Sequence, residues 1–353
     1  MIPRHGEDIR SVAIRYAKLK RLTLDDLLIA GLRVKEGHLT SLPLKAALAE
    51  TFAELAGLDA ASLRKASFGQ GMDGFEVFGS SADIDMLVPH WRRVAPGSLR
   101  SDGNEPWIRA HWQIACLPCD PDTGETLTHL CPACGAELTW IRVEDLYRCS
   151  RHRCRADLRQ AEPRYASTRD REMSALMLGL LRREPSALER MPPVIARATQ
   201  AEQVQFFSWL GALRPLVNGV IVPVGPFATF RGLGAALTYP ASLDCMVRDL
   251  MAAHEERDPR FGRLVGAMEM RFRTRDLMGG RIKISVKERL DKLLFRDEVK
   301  GLALPPGKAM ERRGQKRLVR FDHRAFLLSS QPTNAGWGRA LSGLAERPIL
   351  LAS

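Results

Sequence analysis

The chain has 353 residues, 45% of them hydrophobic, and carries a formal net charge of +12 with a sequence pI near 9.7. This length and composition predict a globular protein of two or three domains and exclude a disordered one. No apolar stretch approaches the roughly 18 residues that a membrane-spanning helix needs, and the first ten residues mix both signs of charge. We therefore expect a cytoplasmic protein with no membrane segment and no export signal.

Residues 1–68 are predicted to form a small helical bundle. Apolar residues from Ile9 to Tyr16 recur at helical spacing. Further along, Ala53, Gly57 and Leu63 occupy the positions at which a helix-turn-helix places a small packing residue, a turn and a core residue. A helical hairpin that packs only against itself is the alternative interpretation.

The following tract, from residue 69, contains two patterns associated with enzymes. Gly69, Gly71 and Gly74 spell G-x-G-x-x-G, but neither the preceding strand nor the following helix of a dinucleotide site is evident, so we reject that interpretation. Asp83 and Asp85 alternate as on a strand, but no third carboxylate accompanies them, and we interpret them as a polar edge. A nucleophile elbow and an ATPase phosphate loop are also missing from the sequence, so we expect a binding protein and not an enzyme.

A set of four cysteines between positions 131 and 154 gives the clearest chemical signal. They form two knuckles, CPACG and CSRHRC, at the spacing that folds a backbone around one tetrahedral zinc ion. The predicted ligands are Cys131, Cys134, Cys149 and Cys154. Pro132 fixes the bend of the first knuckle, and Gly135 permits the positive φ that follows it. Because four thiolates leave no position for substrate or water, we predict one structural Zn²⁺.

Two alternatives to this ligand set stay open. His152, three residues after Cys149, could replace Cys154, and Cys116 with Cys119 could pair with the first knuckle instead. We favour Cys154 because the tract CRADL that begins there parallels CGAEL in the first knuckle, which makes the knuckles two halves of one ribbon. Seven cysteines, an odd number clustered in one region, favour a metal site over disulfides.

The excess positive charge is concentrated in two stretches, and it favours a polyanionic partner such as nucleic acid. A solvated face that keeps the protein soluble is the alternative. The candidate contact residues are Arg148, Arg151, Arg153, Arg155 and Arg159 beside the second knuckle, and Arg312, Arg313, Lys316 and Arg317 near the C-terminus.

Residues 166–353 are predicted to form a basic, mainly helical C-terminal region. Thr199 with Glu202 makes a capping box at the start of one helix. Ser285 with Glu288 predicts the start of another. The expected fold is therefore mainly α, with a helical N-terminal bundle, a central zinc ribbon and a helical C-terminal domain.

Three longer tracts carry further information: Ser11-x-x-x-Arg15-Tyr16-Ala17, ELAGLDAASL, and above all PWIRAHWQIACLPCDPDTGETLTHLCPACGAEL followed by YRCSRHRCRADLR. Together they resemble the TniQ family, the target-selection proteins of bacterial transposons. The resemblance runs from about residue 5 to residue 165. It implies that residues 1–68 and 69–165 are two parts of one TniQ domain, the first helical and the second zinc-binding.

Members of that family commonly carry two zinc sites, and this chain departs from the first of them. The upstream C-x-x-C appears here as Ala95-Pro96-Gly97-Ser98, and the histidine expected after Cys119 is replaced within Asp120–Thr123. The resemblance therefore implies that the first site is lost, with packing of Trp107 and Trp112 in its place. The second site maps onto the four cysteines of the ribbon.

The resemblance further implies an adaptor without enzymatic activity. It would bind target DNA or a target-bound guide complex and recruit an AAA+ ATPase and a transposase, with homodimerisation left open. A stand-alone zinc-ribbon transcription regulator that reads DNA with residues 48–66 is the alternative. A metal-dependent enzyme that uses Asp83 and Asp85 is a more distant one.

Overall fold

The computed structural model describes twelve segments of the chain. They are residues 3–24, 26–27, 32, 46–61, 63, 68–71, 74–78, 80–82, 91–141, 143–217, 226–255 and 280–294. All of them lie in the first of two compact units, residues 1–295, and the second unit lies outside the described residues. The predictions for Asp83 and Asp85 and for the C-terminal basic residues Arg312, Arg313, Lys316 and Arg317 also fall outside them.

The described part of the chain is rich in helix, which confirms the predicted fold class in outline. The α-helices are α1 Ile9–Lys20, α2 Ala46–Ala56, α3 Pro96–Ser101, α4 Thr168–Leu181, α5 Pro185–Glu189, α6 Pro193–Ala196, α7 Gln200–Val217, α8 Pro226–Ala236, α9 Ala241–Glu255 and α10 Gly280–Leu294. Short 3-10 helices cover Ala110–Gln113 and Leu158–Gln160. The two predicted domain boundaries, after residues 68 and 165, stay a prediction.

Helix α1 is fixed against the cysteine-bearing region by a buried ion pair at its start. The Asp8 carboxylate accepts a hydrogen bond from the backbone N of Arg10 at 2.8 Å and another from its Nη2 at 2.6 Å. The Arg10 guanidinium also lies over the Trp140 ring, 4.1 Å from the centroid. Because both charges are buried, loss of either partner would leave the other uncompensated.

Helix α2 and the turn after it match the first half of the predicted helix-turn-helix. Ala53 is buried, Gly57 has a φ of +64°, and Leu63 is buried beyond the turn. Residues 62 and 64–67, where a second helix would continue, lie outside the described residues. The recognition helix therefore stays a prediction.

The glycine pattern near residue 70 lies in a small antiparallel sheet. Strands β1 Phe68–Gly71, β2 Gly74–Val77 and β3 Ser80–Ala82 pair in chain order, and Gly71 faces Gly74 across the first hairpin. An antiparallel hairpin differs from the strand, loop and helix of a dinucleotide site. This arrangement agrees with the rejection of that motif.

Residues 91–165 form a loop-rich layer that carries six of the seven cysteines. Isolated antiparallel bridges join Trp91 to Thr139, Val94 to Thr128, Cys119 to Thr126, Leu130 to Glu137, and Arg148 to Asp157. Trp112 and Trp140 are fully buried within this layer. The Trp140 indole also donates a hydrogen bond to the Trp91 carbonyl at 3.1 Å, so apolar packing and backbone pairing hold the layer together.

The C-terminal helices confirm one predicted helix start and correct the other. Thr199 and Glu202 form the expected capping box, with hydrogen bonds of 2.8 and 3.2 Å. Ser285 does not begin a helix, because α10 starts at Gly280; its hydroxyl lies 2.8 Å from the hydroxyl of Tyr239. The Ser285 hydroxyl, which the local pattern predicted to cap the helix, instead contacts Tyr239 from a distant segment.

Candidate metal centre and basic surface

The sulfurs of the four predicted ligands converge on one point. Their Sγ atoms all lie within 4.8 Å of one another, with Cys131 to Cys154 at 3.8 Å and Cys134 to Cys149 at 3.9 Å. A tetrahedral site with metal–sulfur distances of about 2.3 Å has edges of about 3.8 Å. The observed spacings fit that tetrahedron, so the four cysteines could hold a metal ion with a closed coordination shell.

The first knuckle has the backbone geometry that its sequence predicts. Gly135 has a φ of +66°, and its N–H donates to the Cys131 carbonyl at 2.8 Å. The Cys131 N–H in turn donates to the Ala136 carbonyl at 2.8 Å. This tight turn brings Cys131 and Cys134 to the same side of the chain.

The second knuckle repeats this hydrogen-bond pattern. The Cys149 N–H donates to the Ala156 carbonyl at 3.0 Å, and the Arg155 N–H donates to the Arg151 carbonyl at 3.2 Å. Arg155 has a φ of +46° at the place that Gly135 occupies in the first knuckle. The predicted parallel between the CGAEL and CRADL tracts is therefore present in the backbone, although one half lacks the glycine.

The alternatives to this ligand set are not assembled. Cys154 completes the group of four, whereas His152 is exposed and stands outside it. Cys116 and Cys119 are also outside the group. Both are buried, and the Cys119 Sγ lies 3.3 Å from the Ser174 hydroxyl.

Backbone hydrogen bonds and burial act in opposite directions on the thiols. A hydrogen bond from the Ala136 N–H lowers the pKa of Cys134 to about 7, because it stabilises the thiolate. Burial raises the pKa of Cys149 to about 12 and also raises that of Cys131. Metal binding must therefore displace protons from the buried thiols, so affinity for the metal is expected to fall as the pH falls.

A buried carboxylate holds the loop at which the resemblance places the upstream ligands of the first, lost zinc site. Glu125 accepts hydrogen bonds from the backbone N–H groups of Gly97 at 2.6 Å and of Ser98 at 2.9 Å, and from the Ser98 hydroxyl at 3.2 Å. A Cβ on Gly97 would lie 3.0 Å from the Glu125 carboxylate, so the absence of a side chain permits this approach.

The resemblance implied that packing of Trp107 and Trp112 replaces the lost zinc site; the hydrogen bonds of Glu125 are a second interaction at that place. Trp112 is fully buried, as that expectation requires, but Trp107 is only half-buried and stacks against the Arg109 guanidinium at 4.1 Å. Sequence reasoning missed Glu125, whose partners lie 27 and 28 residues away in the chain.

A second group of potential ligands was also missed. His111, Asp120 and Asp122 bring ligand atoms within 4.8 Å of one another. The His111 Nε2 already lies 3.2 Å from one Asp120 oxygen, and the same carboxylate accepts hydrogen bonds from the Asp122 N–H at 3.1 Å and the Thr123 hydroxyl at 3.3 Å. The Asp120 carboxylate therefore has partners within the protein.

Arg159, one of the predicted contact residues, is engaged inside the protein. Its Nη2 lies 2.7 Å from Asp157, and its guanidinium lies over the Tyr147 ring, 4.0 Å from the centroid. The hydrogen bond from Arg159 lowers the pKa of Asp157 below its usual value. Arg159 therefore stabilises the end of the second knuckle.

Arg148 and Arg155 are partly exposed and each has an acidic neighbour. Arg155 lies 2.5 Å from Glu144, and Arg148 lies 3.6 Å from Asp145. Surface ion pairs of this kind contribute little to stability, about 0–1 kcal/mol. Another anion can therefore replace the acidic partner of either arginine.

The remaining two ribbon arginines, Arg151 and Arg153, are exposed on the second knuckle. Among the described residues neither guanidinium has an ion-pair or hydrogen-bond partner. Helix α1 adds a cation that sequence reasoning did not assign to this surface, since the Lys18 ammonium lies 3.0 Å from Asp145 and 6.0 Å from the Tyr147 ring. The basic residues in the last turn of α1 could have signalled it.

No protein-family model matches the sequence, and no match to a curated protein was found. Among the described helices, none is both long enough and apolar enough to cross a membrane.

Proposed function

We propose that the protein is a non-enzymatic target-selection adaptor of the TniQ type, in which the four cysteines hold one structural Zn²⁺. The convergence of the four sulfurs is the observation that carries the proposal. The resemblance of the tracts around the ribbon, and not the geometry, supplies the link to transposition.

The donor set supports a structural and not a catalytic metal. Four sulfur ligands at tetrahedral spacing suit Zn²⁺ and fill its coordination shell, so no position is left for a substrate or a reactive water. Bound zinc would supply a rigid cross-link between the two knuckles. That cross-link would hold Arg151 and Arg153 at fixed positions on the surface.

The basic face of the ribbon supports a polyanionic target. Arg151 and Arg153 are exposed without partners among the described residues, and Lys18 from α1 joins the same neighbourhood through Asp145. If about six phosphates are neutralised, the logarithm of the affinity should fall with the logarithm of salt concentration at a slope of about −5. The partners proposed for the bound complex are an AAA+ ATPase and a transposase.

A stand-alone DNA-binding transcription regulator is the second candidate. The left-handed turn at Gly57 between the buried residues Ala53 and Leu63 favours it, because it matches the first half of a helix-turn-helix. This candidate has no transposition partners.

Affinity purification of the full chain from its native host, with and without nuclease, tests the assembly. Recovery of a transposase and an AAA+ ATPase is expected. Recovery of neither under both conditions would contradict the adaptor role and favour the regulator.

A salt titration of duplex DNA binding tests whether the exposed arginines of the ribbon contact phosphates. The Arg151→Ala/Arg153→Ala variant should flatten the slope by about 0.9 for each phosphate contact it removes. The matched control is Arg190→Ala/Arg197→Ala, which removes two exposed arginines outside the ribbon and should leave the slope unchanged. A wild-type slope near zero would contradict direct DNA binding.

A further inference from the structure

Arg92 is a fully buried arginine that joins the two knuckles of the ribbon. Its backbone N–H donates to the Leu138 carbonyl, just after the first knuckle, at 2.7 Å. Its guanidinium donates to the carbonyls of Asp145 at 3.1 Å and of Arg148 at 2.5 Å, just before the second knuckle. The side chain therefore binds, from inside the protein, the backbone carbonyl of the residue that precedes Cys149.

The guanidinium of Arg92 is incompletely compensated by these contacts. Its Nε is buried and has no hydrogen-bond partner, and two carbonyl groups provide dipoles but no negative charge. Asp145 is the carboxylate that acts on it, but that carboxylate also faces Lys18 at 3.0 Å and Arg148 at 3.6 Å. A buried cation needs a nearby anion to offset its loss of solvation.

The cysteines are the other groups that act on this cation. Burial lowers the pKa of Arg92 to about 10, and the Cys149 and Cys131 thiols, in their ionised form, oppose that shift together with the Asp145 carboxylate. The side chain is therefore charged at neutral pH. Four thiolates and one divalent cation sum to a net charge of −2, and the part of it on the buried Cys131 and Cys149 sulfurs is costly without a cation beside it.

We propose that Arg92 is the internal counter-cation of the four-cysteine metal centre and raises its affinity for a divalent ion. This inference rests on the metal site within the proposed function and is independent of the role in target selection. The charge on Arg92 offsets part of the −2, and the bound thiolates supply the anion that the buried guanidinium lacks.

The neighbouring residue provides a matched control. Arg93 is also buried, and its guanidinium donates to the carbonyls of Ile114 at 2.6 Å and Leu117 at 2.5 Å. The thiols that act on it are Cys116 and Cys119, which stand outside the four-cysteine group. Substituting Arg93 thus removes another buried cation and two carbonyl contacts without changing the charge beside the four-cysteine group.

The experiment measures Zn²⁺ affinity of the full chain by competition with a chromogenic chelator, and Co²⁺ binding by thiolate-to-cobalt absorption. Arg92→Met should raise the Zn²⁺ dissociation constant by about 10- to 100-fold, the range for losing a group that supports metal ligands. Arg92→Lys keeps the charge and should lose less than about threefold. Arg93→Met should leave the constant unchanged, and all loaded proteins should keep the wild-type cobalt spectrum.

Equal losses in Arg92→Met and Arg93→Met would overturn the inference, because they would reflect general destabilisation. A loss in Arg92→Lys as large as in Arg92→Met would also overturn it, because hydrogen bonding and not charge would then matter. If Arg92→Met fails to fold, Arg92→Lys decides: wild-type affinity supports the inference and a tenfold loss overturns it. Failure of the wild-type chain to bind either ion would overturn the metal site as well, which separates the two proposals.

Discussion

Two neighbouring parts of the loop-rich layer are held together by different chemistry. The cysteine ribbon, residues 130–158, has four converging thiols, whereas the Glu125 region, residues 95–125, has a buried carboxylate that accepts hydrogen bonds from Gly97 and Ser98. Both devices fix a loop whose backbone N–H groups need partners. Cys116 and Cys119 have no second cysteine pair converging on them among the described residues, whereas each pair of the ribbon has one.

Arginines are also used differently in the two parts. Beside and within the Glu125 region they bind inward: Arg93, just before the region, donates to two backbone carbonyls, and Arg109 binds both oxygens of Asp102 at 2.6 and 2.9 Å. On the ribbon, Arg151 and Arg153 are exposed and without partners among the described residues. The ribbon is therefore the part that can offer charge to another molecule.

The largest expected effect comes from removing a thiol of the ribbon. Cys134 is exposed, so Cys134→Ser deletes little packing, yet it should abolish metal binding and the associated folding free energy, of the order of 10 kcal/mol. Metal content by mass spectrometry, expected at about one zinc per chain in the wild type, and amide NMR signals of residues 130–158 provide the measurement. Chelation of the wild-type metal should reproduce the loss.

Cys116→Ser is the control, since Cys116 lies outside the group of four. It should keep the full metal content, although its burial makes a modest loss of stability expected. Two zinc ions in the wild type, one of them lost in Cys116→Ser, would show that both parts bind metal and would contradict the chemical difference between them.

Glu125→Gln is expected to destabilise the other part without affecting the metal. The substitution keeps the shape of the side chain but removes the charge that the N–H groups of Gly97 and Ser98 face, at a cost of about 2–4 kcal/mol. Urea unfolding of the metal-loaded protein measures the change. Glu162→Gln, at an exposed glutamate, should change stability by less than about 0.5 kcal/mol.

The sequence predicted the cluster of four cysteines well because its determinants are local. The spacing within each knuckle, the turn at Gly135 and the choice of Cys154 over His152 depend on residues only a few positions apart. The pairing of the two halves then follows from one metal requiring four ligands. Comparable local signals predicted the capping box at Thr199 and the outline of the mainly helical fold.

The buried charges could not be predicted in this way, because their partners come from distant segments. Arg92 reaches carbonyls 53 and 56 residues further along the chain, and Glu125 reaches back to Gly97 over 28 residues. Two adjacent arginines before the apolar tract VAP were the available signal for Arg92. Ser285 failed as a cap for the same reason, since its partner Tyr239 lies 46 residues away.

Acidification should unfold the ribbon and the Glu125 region at different pH values, the ribbon first. Protons compete with the metal for the ribbon thiols, so the ribbon should lose structure first as the pH falls. In the Glu125 region, burial is the largest single influence on Asp120 and opposes its ionisation, but hydrogen bonds from His111 and from the Asp122 N–H, with the charge of His111, together outweigh it and lower the pKa of Asp120 below its usual value. The contribution of Asp120, about 1 kcal/mol, is therefore complete above the unfolded pKa of about 3.9 and is lost as the pH falls through the lower folded pKa.

The indole NMR signals of Trp140 and Trp112 report on these two events, because each ring is fully buried in one of the two parts. The Trp140 signal should change at a higher pH than the Trp112 signal. Asp120→Asn should remove the acid-dependent loss at Trp112 and leave the Trp140 transition in place. A single transition shared by both indoles would show that the two parts unfold as one unit.

The smallest effect concerns the backbone strain that the ribbon tolerates. Arg155 has a φ of +46° at the position equivalent to Gly135, so Arg155→Gly should raise the free energy of unfolding of the metal-loaded protein by about 0.5–1 kcal/mol. Loss of the exposed ion pair with Glu144 offsets little of this gain. Arg153→Gly is the opposite control, because Arg153 is not among the residues with positive φ, and a glycine there should destabilise by about 0.5–1 kcal/mol through the more flexible unfolded chain. If both substitutions destabilise equally, the left-handed turn at Arg155 is not strained.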